Sequence, residues 1–243
     1  MFRSVEAFLR VVASGSEGGR MLELGGVAAA VTAATPTRSV FNSVIYERPE
    51  ALAASLSELA ESYEDAGVRA WTVWVPESDT DSQRLLESAG HKLDASPRAM
   101  IRDFDDLPAP EPGDLDWDND VRIDEVCEIN DLAYGDDPGT FQRALGRSPV
   151  DAYRFYRARL NGELAAVAAT LDHEGDCGIY WVAALPEARG RGLVGRLMHL
   201  ALAEGRDRGC DISTLQATTL GYPVYSRLGY RDVGELQMWE RRR

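Results

Sequence analysis

The chain has 243 residues, of which 44% are hydrophobic and 27% charged, and its net charge is −14. That length suits two domains better than one core, and that composition belongs to a globular chain. The acidity argues against nucleic acid as the main partner, because phosphate binding needs a basic face. No apolar run approaches the roughly 18 residues a bilayer span needs, and the N-terminus lacks the apolar run of a signal peptide. The expectation is therefore a cytoplasmic protein with no membrane partner. Three scattered cysteines, Cys127, Cys177 and Cys210, and three histidines make neither a disulfide framework nor a metal-binding pair, so no metal is expected.

In chain order, Glu50 to Ala66 is an amphipathic helix, with Leu52, Leu56 and Leu59 near helical spacing and Gly67 behind it. Val68 to Val75 is a strand, Ser82 to Ala89 a short helix stopped by Gly90, and a strand starts at His91. Residues 105–116 crowd prolines, a glycine and acids together and read as an interdomain linker that buries nothing. Beyond it, Tyr153 to Leu160 and Glu163 to Leu171 are strands joined by an Asn161-Gly162 hairpin turn. Cys177 to Leu185 is a third strand ending at Pro186. A helix follows from about Leu193 to Arg208, with Leu193, Leu197 and Leu200 on one row and Val194, Met198 and Ala201 on the next. Ile212 to Ala217 is a strand, Pro223 to Leu228 a short helix, and Tyr230 to Trp239 a closing strand or strand pair. This order predicts an α/β fold, a mixed sheet flanked by helices.

The segment between the third strand and the long helix carries the chemistry. Arg189-Gly190-Arg191-Gly192-Leu193-Val194-Gly195 combines three glycines, two arginines and a helix N-terminus. Glycines let the backbone approach a ligand, the free N–H groups and the helix dipole favour an anion, and arginines fork onto phosphate. Gly190, Gly192 and Gly195 also spell G-x-G-x-x-G, the dinucleotide fingerprint. That reading requires an acid at the end of the next strand, where Leu215-Gln216-Ala217-Thr218 has none.

With Trp181-Val182-Ala183 before the loop and Tyr225-Ser226-Arg227-Leu228-Gly229-Tyr230 after it, the sequence resembles the GNAT superfamily of acyl-CoA-dependent N-acyltransferases over roughly residues 118–240. Val194 departs from the pattern, which has Gly or Ala there. The resemblance implies that acetyl-CoA is the acyl donor. Backbone groups of Val182, Ala183, Ala184 and Leu185 would bind its pantetheine arm, and the Arg189–Gly195 loop, with Leu193 and Val194 inside it, its pyrophosphate. Tyr225 would protonate the departing thiolate, and the acceptor would be a small-molecule or peptide amine. No residue stands out as the base that deprotonates the amine: Glu125, Glu128, Asp131, Asp172, Glu174, Asp176, Glu187 and His199 all have blander roles open to them.

The first half looks like a degenerate copy of the second. Leu85 to His91 parallels Val224 to Tyr230, but Leu86 stands where Tyr225 does and Ile45 to Glu50 lacks the phosphate-binding glycines. The chain is thus expected to hold two GNAT-like domains. Residues 1–104 form the degenerate one and 117–243 the acetyl-CoA-binding one, with a homodimer open as the assembly. A CoA-binding module without transfer activity is the alternative reading.

Overall fold

The computed structural model describes residues 2–149 and 151–243. In chain order the elements are α1 (Phe2–Gly15), β1 (Arg20–Glu23), β2 (Val27–Val31), β3 (Ser43–Tyr46), α2 (Pro49–Asp65), β4 (Ala70–Pro76), α3 (Thr80–Ser88), β5 (Lys92–Ala95) and β6 (Arg98–Asp103). They continue with β7 (Trp117–Asp118), α4 (Ile123–Tyr134), α5 (Thr140–Leu145), β8 (Arg154–Leu160), β9 (Glu163–His173) and β10 (Asp176–Ala184). The last are α6 (Leu193–Asp207), β11 (Ile212–Ala217), α7 (Tyr222–Arg227) and β12 (Arg231–Arg242). The fold is α/β, with mixed sheets flanked by helices.

Contacts divide the chain into two compact units. One holds residues 100–142 and 151–233; the other holds Phe2–Ala99, Arg143–Pro149 and Gly234–Arg243. In the first, β8, β9 and β10 form an antiparallel meander, and α6 crosses over to bring β11 parallel to β10, with Asp176 opposite Ile212. In the second, β1, β2 and β3 form the meander and α2 crosses over to the parallel strand β4. Such crossovers suit helices that bury one face on the sheet.

Local chemistry sets the joints. Asn161 and Gly162 both take positive φ, 55° and 85°, as the tight β8–β9 hairpin demands. α6 divides its apolar side chains between two clusters: Leu193, Leu197, Leu200 and Ala201 pack with Tyr156 and Ala166, while Met198 and Leu202 pack with Ile179 and Leu215. The short helices α3 and α7 end alike. Gly90 and Gly229 take φ of 86° and 82°. The next N–H groups, of His91 and Tyr230, return to the carbonyls of Leu86 and Tyr225 at 2.9 and 3.1 Å.

Two expectations need correction. The stretch 105–116 is irregular in backbone, yet it buries Leu107 and Leu115 in the clusters on either side of α6. Asp114 also pairs with Arg196 at 2.7 Å. Prolines bar regular hydrogen bonding, not burial of the leucines on either side of them. The second correction concerns the closing strand. From Leu236 to Arg242 it pairs antiparallel with β4 of the N-terminal half, so residues 234–243 group with that half and not with 117–233. Trp71, Trp74 and Phe41 are core, at 4%, 5% and 0% exposure. Among the described residues, no helix is long and apolar enough to cross a membrane, and no group of three His, Cys, Asp or Glu is placed to hold a metal ion.

Candidate active site

The site begins with the end of β10. Its pairing with β9 shifts register between Tyr180, opposite Ala169, and Ala183, opposite Val167. β10 therefore spends one extra residue there, a β-bulge. Trp181 inside it has φ of +51°. For a bulky side chain this left-handed conformation costs on the order of 1–3 kcal/mol, and such outliers persist only where surroundings hold them. After the bulge, Ala183 and Ala184 are again opposite Val167 and Ala166, and the Leu185 N–H reaches the Ala165 carbonyl at 3.0 Å.

The loop follows at once. Pro186 to Ala188 make one turn of 3-10 helix, and Gly192, at φ +74°, caps the N-terminus of α6. Gly190 has the same φ, so both positions demand glycine-like freedom. A Cβ at Gly190, Gly192 or Gly195 would meet no protein atom within 4 Å, so the glycines border open space and are not forced by packing. The first bond closing α6 runs from Arg196 N–H to the Gly192 carbonyl at 3.1 Å. The N–H groups of Leu193, Val194 and Gly195 precede it and have no intrahelical acceptor. Val194 itself turns inward and packs against both clusters beside α6.

The two loop arginines are steadied by backbone. Arg189 donates to the carbonyls of Ala184 (3.2 Å) and Ala133 (3.3 Å), and Arg191 Nε donates to the Glu187 carbonyl at 3.3 Å. A guanidinium carries five N–H donors, so each keeps donors for an anion. The open glycine face, the three unsatisfied N–H groups and these guanidinium groups fit a pyrophosphate. The same anion-seeking geometry is absent between β3 and α2, where only Glu47 and Arg48 intervene.

Tyr225 lies on α7 in the cluster that Val182 and Val194 cover. Its ring meets Tyr230 edge-on at 5.9 Å between centroids. Burial pushes its phenol well above the ordinary value, and the Tyr134 phenol nearby adds to the shift. A proton therefore stays on Tyr225 throughout the neutral range.

Several carboxylates considered as bases are engaged elsewhere. Asp172 binds Arg208 at 2.5 Å, and Asp176 accepts the Thr214 N–H (3.0 Å) and hydroxyl (2.6 Å). Asp131 is buried and accepts the N–H groups of Gly139 (2.7 Å) and Phe141 (2.9 Å) behind α4. Glu125 pairs with Arg157 at 2.5 Å beside a cavity of about 350 Å³ that Asp120 and Arg122 also line.

Two residues that sequence reasoning passed over approach the bulge from α4. Asn130 Nδ2 donates to the carbonyls of Val126 (2.8 Å) and Trp181 (3.5 Å). Tyr134 Oη donates to the Val182 carbonyl at 3.1 Å. Asn130 is fully buried, and its Oδ1 has no hydrogen-bond partner. An unpaired buried acceptor costs about 1–3 kcal/mol. The only signal in the sequence was a polar pair spaced i, i+4 on a helix, which is too common to read.

Comparison with known proteins bears on the fold. A family model described as an acetyltransferase (GNAT) domain matches residues 119–233. A GCN5-related N-acetyltransferase from Kribbella flavida superposes with a TM-score of 0.73 at 16% identity, covering 98% of this chain and 94% of that one. Another, from Sphaerobacter thermophilus, gives 0.64 at 19% identity over 100% and 93% of the two chains. A tandem GNAT protein of the clavulanic acid biosynthesis pathway gives 0.57 at 13% identity over 98% and 94%. No curated protein matches the sequence. The structural likenesses speak for the fold, which is GNAT-like, and the stretch similar to the family model, residues 119–233, is just under half of the chain.

Proposed function

We propose that the chain is an N-acetyltransferase moving an acetyl group from acetyl-CoA to an amine by direct attack. Its single site would lie around β10, the Arg189–Gly195 loop and Tyr225. The observation that carries this reading is the loop. Gly190 and Gly192 sit at positive φ, Gly195 faces open space, and the free end of the 15-residue helix α6 points there. Acetyl-CoA supplies the activated acyl group when bound. Backbone groups of Val182 to Leu185 hold the pantetheine arm, the loop and its arginines hold the pyrophosphate, and the Tyr225 hydroxyl donates its proton to the departing sulfur. The nitrogen, which attacks as the neutral amine, releases one proton to water, from which Tyr225 is reprotonated. The acceptor is a small-molecule or peptide amine.

The first half is read as a GNAT-like copy that has lost its cofactor site. Residues 1–104 and 117–243 share the order meander, crossover helix, parallel strand and short helix. The matching ends of α3 and α7 support the duplication, as does the fold likeness to a protein named a tandem GNAT. With two residues between β3 and α2 there is no phosphate loop, and Leu86 has no proton to give.

The test is release of free CoA thiol from acetyl-CoA by the full chain against a panel of amines. Amine-dependent release is expected. In Tyr225→Phe, kcat should fall about 10²-fold or more, the usual worth of a positioned general acid, with the melting temperature little changed. Acetyl-CoA binding without release for any amine would favour the non-catalytic CoA-binding module, and an undiminished kcat in the variant would remove Tyr225 from the chemistry.

A further inference from the structure

The bulge in β10 sits where the proposed pantetheine-binding backbone begins, and its strained residue is held from outside the strand. Asn130 and Tyr134 lie one turn apart on the same face of α4 and donate to consecutive carbonyls, those of Trp181 and Val182. Both partners of the Asn130 amide are carbonyls, so its NH₂ group must face them, and its oxygen is left buried and unpartnered. An apolar side chain of similar volume would fill that place without the unpaired atom, so stability alone does not account for an amide there. Tyr134 is 50% exposed, so its ring is not a core requirement either. Arg189, bridging the carbonyls of Ala133 and Ala184, adds a third tie between the end of α4 and the end of β10.

We infer that Asn130 and Tyr134 are positioning residues. Together they fix the peptide planes of Trp181 and Val182 so that the backbone groups of Val182 and Ala183 meet the pantetheine arm in one orientation. This rests on the acetyl-CoA reading above. Without the clamp, the left-handed Trp181 relaxes toward an ordinary strand conformation, which turns those backbone groups out of line. A glycine at 181 would hold the left-handed conformation without help.

The experiment is titration calorimetry of acetyl-CoA into the full chain, for wild type, Tyr134→Phe, Trp181→Gly and the double variant, with melting temperatures measured without ligand. Loosening of the Val182 peptide plane predicts binding about three- to ten-fold weaker in Tyr134→Phe, and loss of one half-exposed hydrogen bond lowers the melting temperature of the free protein by no more than about 4 °C. In the Trp181→Gly background, the same Tyr134→Phe change is expected to cost less than about two-fold, a coupling that independent sites do not show. Asn130→Leu is expected to melt at the same temperature or higher while binding more weakly. Wild-type affinity in Tyr134→Phe, or equal weakening in both backgrounds, would overturn the clamp. So would an Asn130→Leu protein that is less stable yet binds normally. If the wild type itself binds no acetyl-CoA, the functional reading fails first and the clamp with it.

Discussion

Single residues in this protein carry costs that packing alone would not choose. His91 is the clearest case outside the candidate site. It is 2% exposed, neither ring nitrogen has a hydrogen-bond partner, and its ring meets Trp71 edge-on at 4.6 Å. Burial first, and the charge of Arg241 second, push its pKa down to about 4. The neutral imidazole is thus the form the fold accepts. Its contribution is complete above the unfolded value near 6.5 and is lost as pH falls from there toward 4, on the order of 3 kcal/mol in all. His91→Phe keeps the ring contact and removes the titration. Between pH 7.5 and 4.5 its melting temperature should therefore fall several degrees less than that of the wild type. Parallel pH profiles for the two proteins would mean that His91 is hydrated or already charged in the native state.

Among the elements, β12 has the largest consequence. Leu236 to Arg242 run opposite Pro76 to Ala70, and β4 is buried along nearly its whole length. Deleting residues 234–243 strips β4 of that partner and uncovers Val73, Val75 and Trp71. The expected result is a loss of more than about 10 °C in melting temperature, or aggregation through the opened strand edge. A deletion that melts within about 2 °C of the full chain would show that the N-terminal unit does not depend on the strand. Element types were legible in the sequence where their causes are local. The Asn161-Gly162 turn, the glycine stops at Gly67, Gly90, Gly209 and Gly229, and the row of leucines in α6 are all signals within a few residues. The partner of β12 was not legible, because a closing strand reads the same beside either half. Nor was the bulge, whose supports stand 51 and 48 residues away in the chain. The proline-rich stretch hid its two buried leucines because its composition signals irregular backbone and says nothing about what the irregular backbone covers.

For the molecule as a whole, the proposed activity depends on where acetyl-CoA binds. The glycine loop stood out in the sequence because its residue types suit an anion, and the structure adds an open face that makes the proposed site testable. Gly195 is the sharpest probe. Its φ is ordinary, a Cβ there meets nothing, and it lies in the first turn of α6, where an acid suits the helix dipole. Gly195→Glu should hold or raise the stability of the free protein, since glycine inside a helix costs up to about 1 kcal/mol. The same carboxylate would stand in the proposed pyrophosphate site. The decisive measurement is thermal unfolding of wild type and Gly195→Glu with and without acetyl-CoA at about 100 times its dissociation constant, which adds roughly 2.7 kcal/mol to a protein that binds it. Acetyl-CoA at the loop predicts a rise of several degrees in the wild type that vanishes in a variant no less stable without ligand. No rise in the wild type, or an equal rise in both proteins, would contradict the placement of acetyl-CoA at this loop.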